Sequence, residues 1–453
     1  MARGGTTGYL SREAAQHARD AADFQRAVTA YRFWYPTVSL EGVFAGNRAA
    51  GIADNEAMGI AACGPRHTGF TLTSDTPYGY AALDLSDGPM VIDVPAGPFL
   101  GVVNDHHHRW VADLGIPGPD GGRGGRYVIL PPEHVGQVPA GHHVAQAATH
   151  KVLFAAQAMP VGGDLTGALE TLRTISIHGL HQVPAVRFVD TSELEIDCSC
   201  LRWEADLEFW RVLHDVLDAE PVVGEYLPMY GLLAAVGVAK GRPFKPDTRL
   251  ARILTQAALT GREQLLSTAF ISLRPDRVAW RDRRWEWIGL VADNGNFVTA
   301  TGMDLEARDR WFAQAVGTSP AMFGRRAGDG SLYWIAVRDA DGDYLDGGHT
   351  YELTVPLPVP ADLFWSVTAY DAATRSQVRT PQDRAALRSL FELRDAGSGS
   401  VTLHFGPEPT GPADRWVQTV PGRGWFAYLR VYGPQPAAVD GDWRPGDMQR
   451  IRS

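Results

Sequence analysis

The chain has 453 residues, enough for two or three domains with sizeable cores, and its 45% hydrophobic and 21% charged composition is that of a globular protein. Its 42 basic and 52 acidic residues give a net charge of −10, which excludes a global basic field for nucleic acid. The first thirty residues lack an apolar core of the secretory type, no run of 18 apolar residues occurs, and three cysteines are too few for a disulfide framework. The expectation is a cytoplasmic protein with reduced thiols and neither a membrane nor a nucleic-acid partner.

Ser11 reads as an N-cap, and Ala14, Ala15, Ala18, Ala22, Val28 and Tyr31 follow at near-helical spacing until Pro36, where the helix is expected to stop; this gives an N-terminal segment, 1–36. Over 37–197, short apolar runs such as Met90–Val94 and Tyr127–Leu130 alternate with Gly/Pro clusters and predict strands. The period changes over 198–275, where Leu207, Trp210, Leu213 and Leu217, then Leu250, Ile253, Leu254, Ala257 and Ala258 behind an Asp247 cap, predict helices. Over 276–453 apolar runs return at Tyr333–Val337, Tyr351–Val355, Phe364–Tyr370, Val401–Phe405 and Trp425–Tyr432. Turn-punctuated spacing of this kind suits an antiparallel sandwich or jelly roll. The expected fold class is α+β: two β-sandwich, jelly-roll-like domains with an N-terminal helix and a helical segment between them.

The phosphate loop, the nucleophile elbow, H-E-x-x-H and C-x-x-C are all absent, so no nucleotide cofactor is expected. GGRGGR at 121–126 runs into a strand rather than a helix and reads as a glycine turn; DADGD at 339–343 reads as a hairpin turn rather than a calcium loop. Cys198 and Cys200 read as buried thiols. Arg277, Arg281, Arg283 and Arg284 interleave with Trp280, Trp285 and Trp287, a combination able to stack on sugars or bases, or to form a partner-facing or inter-domain surface.

The most informative stretch is GVVNDHHHRW, 101–110. Read as one strand, it places Asn104, His106 and His108 on one face and Asp105, His107 and Arg109 on the other. Two imidazoles at this spacing suit one divalent metal (Fe, Zn or Mn), with Asp75, Glu133, His142, His143, His150 or His178 as the third ligand. Without a metal, the same histidines line a polar pocket or serve a structural role. Asp75 and Tyr78 join the candidate site as a carboxylate and a phenol able to exchange a proton, and Arg109 completes the candidate catalytic set. Asp75 before Thr-Pro also reads simply as a turn cap. Asp371 and Arg379 are lesser pocket candidates in the C-terminal half.

Six segments occur in order: TSDTPYGYAALDL (73–85), GIPGPDGGRGGRYVILPP (115–132), VGVAKGRPF (236–244), DGDYLDGGHTYEL (341–353), FWSVTAYD (364–371) and WVQTVPGRGWF (416–426). Together they resemble the bacterial family that pairs the uncharacterised domains numbered twelve fifty-four (N-terminal) and twelve fourteen (C-terminal). The resemblance spans AYRFWYP at 30–36 to VYGPQP at 431–436. It implies two β-sandwich domains, jelly-roll-like at the C-terminus, with a helical segment between, and it implies no particular chemistry. Many family members have Asp-Phe-Trp or similar where this chain has Asp105 followed by three histidines, so the metal reading rests on this sequence alone. Three function classes follow: a metal-dependent enzyme on a small organic substrate held in a polar pocket of the N-terminal β domain, a non-catalytic saccharide- or polymer-binding module using Trp280 or Trp285, and a structural homo-oligomer.

Overall fold

The computed structural model describes residues 8–182, 186–290, 294–328 and 330–451; residues 1–7 of the expected N-terminal segment lie outside this set. Helix α1, Arg12–Ala49, starts where Ser11 accepts the Ala14 N–H at 3.2 Å. It does not stop at Pro36. Proline removes the helix hydrogen bond to the Arg32 carbonyl and crowds the preceding turn, and neighbouring carbonyls of the helix take side-chain donors: the Phe33 carbonyl accepts from Arg308 Nη1 at 2.7 Å, and the Pro36 carbonyl from His108 Nδ1 at 2.7 Å. From Ala27 to Asn47 almost every side chain of α1 is buried, as expected of a helix inside a core rather than on its surface. Gly42 and Gly46 permit that position, because a Cβ at either would lie 2.6 Å from the backbone of Ser199 or Asp197.

The strand region after α1 forms two large sheets and a two-stranded one that pairs His67–Thr68 with Ile196–Asp197. The first has six strands in the order Arg187–Asp190, Ala57–Ala61, Tyr78–Asp84, Lys151–Ala158, Phe99–Asp105 and Trp110–Gly115. The second has four, in the order Ser176–Gly179, Met90–Val94, Gly125–Leu130 and His143–Gln146. Met58, Leu83, Phe99 and Phe154 of the first share one buried cluster with Met90, Ile92, Tyr127 and Ile129 of the second. Period-two alternation leaves the other face of the six-stranded sheet free to meet something else.

The strands after residue 280 repeat this plan. Five strands run in the order Glu286–Trp287, Ser331–Ala336, Trp425–Pro434, Ala361–Asp371 and Ala386–Arg388, and four in the order Trp416–Gln418, Gly399–Gly406, Thr350–Leu357 and Gln449–Ile451. Trp334, Val367, Leu429 and Val431 of the five-stranded sheet share a core with Leu353, Val401, Leu403 and Phe405 of the four-stranded one. The whole is a mixed α+β fold with several open sheets.

Between these units lie α2 (Glu208–Ala219), α3 (Leu227–Ala235) and α4 (Thr248–Ile271), and α5 (Leu305–Phe312) follows. Tyr31 and Trp34 of α1 pack with Phe209, Trp210, Leu254 and Ala258 of this layer. Buried Glu204 ties three regions together. It accepts from Arg375 Nη2 at 2.6 Å, Arg262 Nε at 2.6 Å and the Tyr35 hydroxyl at 2.7 Å. Among the described residues no helix is long and apolar enough to cross a membrane.

One expectation changes here. Trp280 and Trp285 are 7% and 1% exposed, inside the second unit's core, and Trp285 Nε1 donates to the Gly446 carbonyl at 2.8 Å. They are core residues, so the aromatic platform for a saccharide does not exist at this place. The three cysteines are free, and burial pushes the Cys198 and Cys200 thiols up to about 12.

Candidate functional site

The triple-histidine stretch is a turn, not a strand. The strand Phe99–Asp105 ends at Asp105, whose Oδ1 accepts the backbone N–H groups of His107 and Arg109, both at 2.9 Å, while its carbonyl accepts from His108 N at 2.8 Å. His108 consequently takes φ +57°, and alternation does not extend beyond Asp105. The imidazoles spread along α1. His106 Nδ1 lies 2.9 Å from Glu220 Oε1 and its Nε2 3.2 Å from Glu41 Oε2; His107 Nδ1 meets Thr37 Oγ1 at 3.0 Å; His108 Nδ1 donates to Pro36. The expected convergence of His106 and His108 is therefore corrected. Among the described residues no three His, Cys, Asp or Glu side chains are placed to hold a metal ion, so the residues present do not fit Fe, Zn or Mn.

Electrostatics separates the three rings further. Burial works against a charge on His106, but Glu220 and Glu41 outweigh it and raise its pKa. Glu41 is held at about 2, the His106 and Arg48 contacts overcoming its burial. Burial pushes His107 well down and His108 to about 3, so both are neutral. The stretch is a buried joint: His106, between two carboxylates, pins the turn to α1 and to the segment after α2.

The other predicted residues divide. Arg109 lies 3.1 Å from Glu225 Oε2 and over the Tyr226 ring, and it does not line the cavity that Tyr78 lines, so the two are not brought into one set. Asp371 is fixed by Arg423 at 2.7 Å, and Arg379 pairs with Glu195 on the surface. His178 pairs with Asp93 at 3.3 Å, and His143 packs on Tyr127. Tyr78 and Asp75, by contrast, sit where the two β-rich units meet.

There the free face of the six-stranded sheet forms the floor of a cavity of about 200 Å³. Tyr80, Ala155, Val102 and Asp113 stand opposite one another in register on four adjacent strands, and all four line it. At strand spacing this row is about 14 Å long. The roof is the five-stranded sheet, where Tyr428, Arg430 and Tyr432 alternate on one face of Trp425–Pro434 and Tyr333 stands opposite Arg430. Asn47 at the end of α1 and the stretch from Trp311 to Met322 contribute the sides. The wall is mainly apolar. Polar side chains enter it at several places, among them His67, Asn104, Gln157, Ser331 and the Tyr78 and Tyr333 phenols; Asn47, 0% exposed, has no hydrogen-bond partner at either amide atom, and burial lifts Asp113 to about 6.

Arg430 is the only lysine or arginine among the described residues of that wall. It is 4% exposed, donates to the Thr71 carbonyl at 2.9 Å, and places its guanidinium 4.8 Å and 5.3 Å from the Tyr428 and Tyr370 ring centroids. Among the described residues no carboxylate lies within 4 Å of it. Asp75 is nearby: its Oδ2 accepts from Ser366 Oγ at 2.6 Å, Ser366 stands opposite Arg430 in the sheet, and the Asp75 charge acts on Arg430 from beyond hydrogen-bond reach. Burial raises the Tyr78 and Tyr432 phenols well above their ordinary value, so both keep their protons.

Two family models match the chain: "Protein of unknown function (DUF1254)" over residues 61–177 and "Protein of unknown function (DUF1214)" over residues 330–436. The chain carries both domains, in that order. Among solved structures, the VPA0106 protein from Vibrio parahaemolyticus is similar with a TM-score of 0.56 at 17% identity, covering 95% of this chain and 100% of that one. An uncharacterized protein from Burkholderia cenocepacia reaches 0.42 at 14% identity, with 96% of each chain covered. At such identities the first likeness concerns the fold alone. Among curated proteins none matches the chain. The DUF1254 region supplies Tyr80, Val102, Asp113 and Ala155 of the floor, and the DUF1214 region supplies Tyr333, Tyr428 and Arg430 of the roof. The cavity thus lies where the two domains meet, bordered by parts of the chain outside both matches.

Sequence reasoning missed Arg430, Tyr333, Asp113 and Asn47. A signal for Arg430 exists in WFAYLRVYGP: the alternate positions Ala427, Leu429 and Val431 are apolar, while the opposite face carries Phe426, Tyr428, Arg430 and Tyr432. A charged residue among aromatics in so apolar a strand marks a buried polar site.

Proposed function

We propose that the chain binds one small, mainly apolar organic molecule in the cavity between its two β-rich units. The observation that carries this reading is the cavity itself: about 200 Å³ with mainly apolar walls drawn from both domains. A cavity of roughly 150 Å³ already accommodates benzene, and domain junctions are preferred places for ligand pockets. The reading includes a finer description of the scaffold, in which each unit is a two-sheet β-sandwich and the C-terminal one is jelly-roll-like. The buried clusters shared by the sheets of each unit support it. A rigid sandwich on either side keeps the cavity open, because its walls are fixed by packing on their far faces.

The test is calorimetric titration of the full chain with 1-octanol. Saturable binding of one molecule per chain, with a negative heat-capacity change from apolar burial, is the expected result. Absence of saturable binding for 1-octanol and for aromatic alcohols of similar size would overturn the reading.

A further inference from the structure

We infer that the molecule held in this cavity is a monoanionic organic acid, its carboxylate facing Arg430 and its apolar body lying along the row from Tyr80 to Asp113. The inference rests on the cavity reading above and assigns the chemical class of its ligand. A buried guanidinium keeps its charge, and a buried charge is unfavourable unless it is paired. Arg430 is 96% shielded from solvent, since only 4% of it is exposed, yet its hydrogen-bond partners are neutral: the Thr71 carbonyl at 2.9 Å and Thr368 Oγ1 at 3.4 Å. Two of its five N–H groups are used in this way. The Tyr428 and Tyr370 rings supply cation–π contacts but cannot neutralise it.

The geometry also selects among anions. A carboxylate is planar and matches the guanidinium edge with two parallel hydrogen bonds. A dianion such as a phosphate monoester would bring two charges to one cation in a wall with no other lysine or arginine among the described residues, beside the Asp75 carboxylate, which Ser366 holds on the same sheet face. The apolar floor, with Ala155, Val102 and Leu153 at its centre, requires an apolar body behind the headgroup. A small polar acid would leave this surface dry and uncovered.

The experiment compares octanoate, 1-octanol and octylamine on the full chain near neutral pH, then repeats the series on Arg430→Gln and Arg430→Lys, each first checked for native circular dichroism. Octanoate is expected to bind at least about tenfold more tightly than 1-octanol, as a charge-assisted hydrogen-bond pair would give, with octylamine weakest. Arg430→Gln is expected to abolish the preference for the acid, lowering octanoate affinity by at least about tenfold more than that of 1-octanol. If Arg430→Gln does not fold, Arg430→Lys decides, because a lysine lacks the two-pronged edge and is expected to lose severalfold in acid preference. Equal binding of octanoate and 1-octanol would overturn the inference while the cavity reading stands. Failure of all three to bind would overturn both. A preference for octanoate that survives in folded Arg430 variants would remove the assignment to this residue.

Discussion

Replacing Glu204 with glutamine tests how the three parts of the chain are held together around the cavity. The carboxylate is 2% exposed and serves Arg375, Arg262 and Tyr35 at once, and Arg375 is itself 1% exposed. Glutamine keeps the shape and removes the charge, which leaves Arg375 buried with no carboxylate partner. Removing one member of a buried ion pair costs roughly 3–5 kcal/mol, because the remaining charge is uncompensated. Arg375→Met is expected to cost less, since Arg262 still pairs with Glu204 at 2.6 Å. The asymmetry is the diagnostic. Both variants are measured by urea unfolding, and a fall in midpoint at unchanged slope reports stability alone. The wild-type pair also carries a pH signature. Burial opposes the Glu204 charge, but Arg375 and Arg262 outweigh it and lower the pKa, so the stabilisation is complete above about 4.5 and is lost as pH falls below it. A Glu204→Gln variant within about 0.5 kcal/mol of wild type, the range of ordinary surface changes, would refute the reasoning.

Three further outcomes are expected. His106→Gln removes the imidazole shared by Glu41 and Glu220, Glu41 keeping Arg48 as a partner, and should cost up to about 3–5 kcal/mol at pH 6; because the folded pKa of His106 lies above 6.5, the contribution is complete below pH 6.5 and fades as pH rises through the folded value, so urea unfolding at pH 9 should show a smaller deficit, and equal deficits would contradict the ion-pair assignment. Trp285→Ala should lower stability by about 3–5 kcal/mol as a core deletion, and a variant of unchanged urea midpoint would place the ring outside the core. Arg308→Met should cost about 1.5–3 kcal/mol, the worth of a charge-assisted hydrogen bond to the Phe33 carbonyl, and an unchanged urea midpoint would contradict that role.

Local signals were readable where local physics decides. The Ser11 and Asp247 caps start α1 and α4 as their residue types require, and the short apolar runs Met90–Val94 and Tyr127–Leu130 lie within paired strands. Two errors share one origin. Pro36 normally ends a helix, and here side chains from residues 108 and 308 donate to carbonyls of that turn. The histidines seemed to continue a strand, and the Asp105 carboxylate folds them into a turn instead. In both cases a partner distant in sequence or a single side-chain contact overrides the local preference. The candidate site was legible only in part: Tyr78 and Asp75 stood out as a phenol and a carboxylate in one motif, yet the cavity that Tyr78 lines also needs Arg430, which is 352 positions away in the chain, and no spacing rule links them.

The central claim, that a small molecule occupies the cavity between the two domains, is tested most directly by filling that cavity. Ala155 lies in the middle of the floor row, between Tyr80 and Val102, so Ala155→Trp projects an indole into the space. Because the added ring enters a void rather than a packed core, the cost should stay at or below the ~1–3 kcal/mol of ordinary overpacking. Titration of the folded variant with 1-octanol is expected to show saturable binding abolished while the urea midpoint stays close to wild type. Undiminished one-to-one binding in folded Ala155→Trp would place the ligand elsewhere and contradict the account.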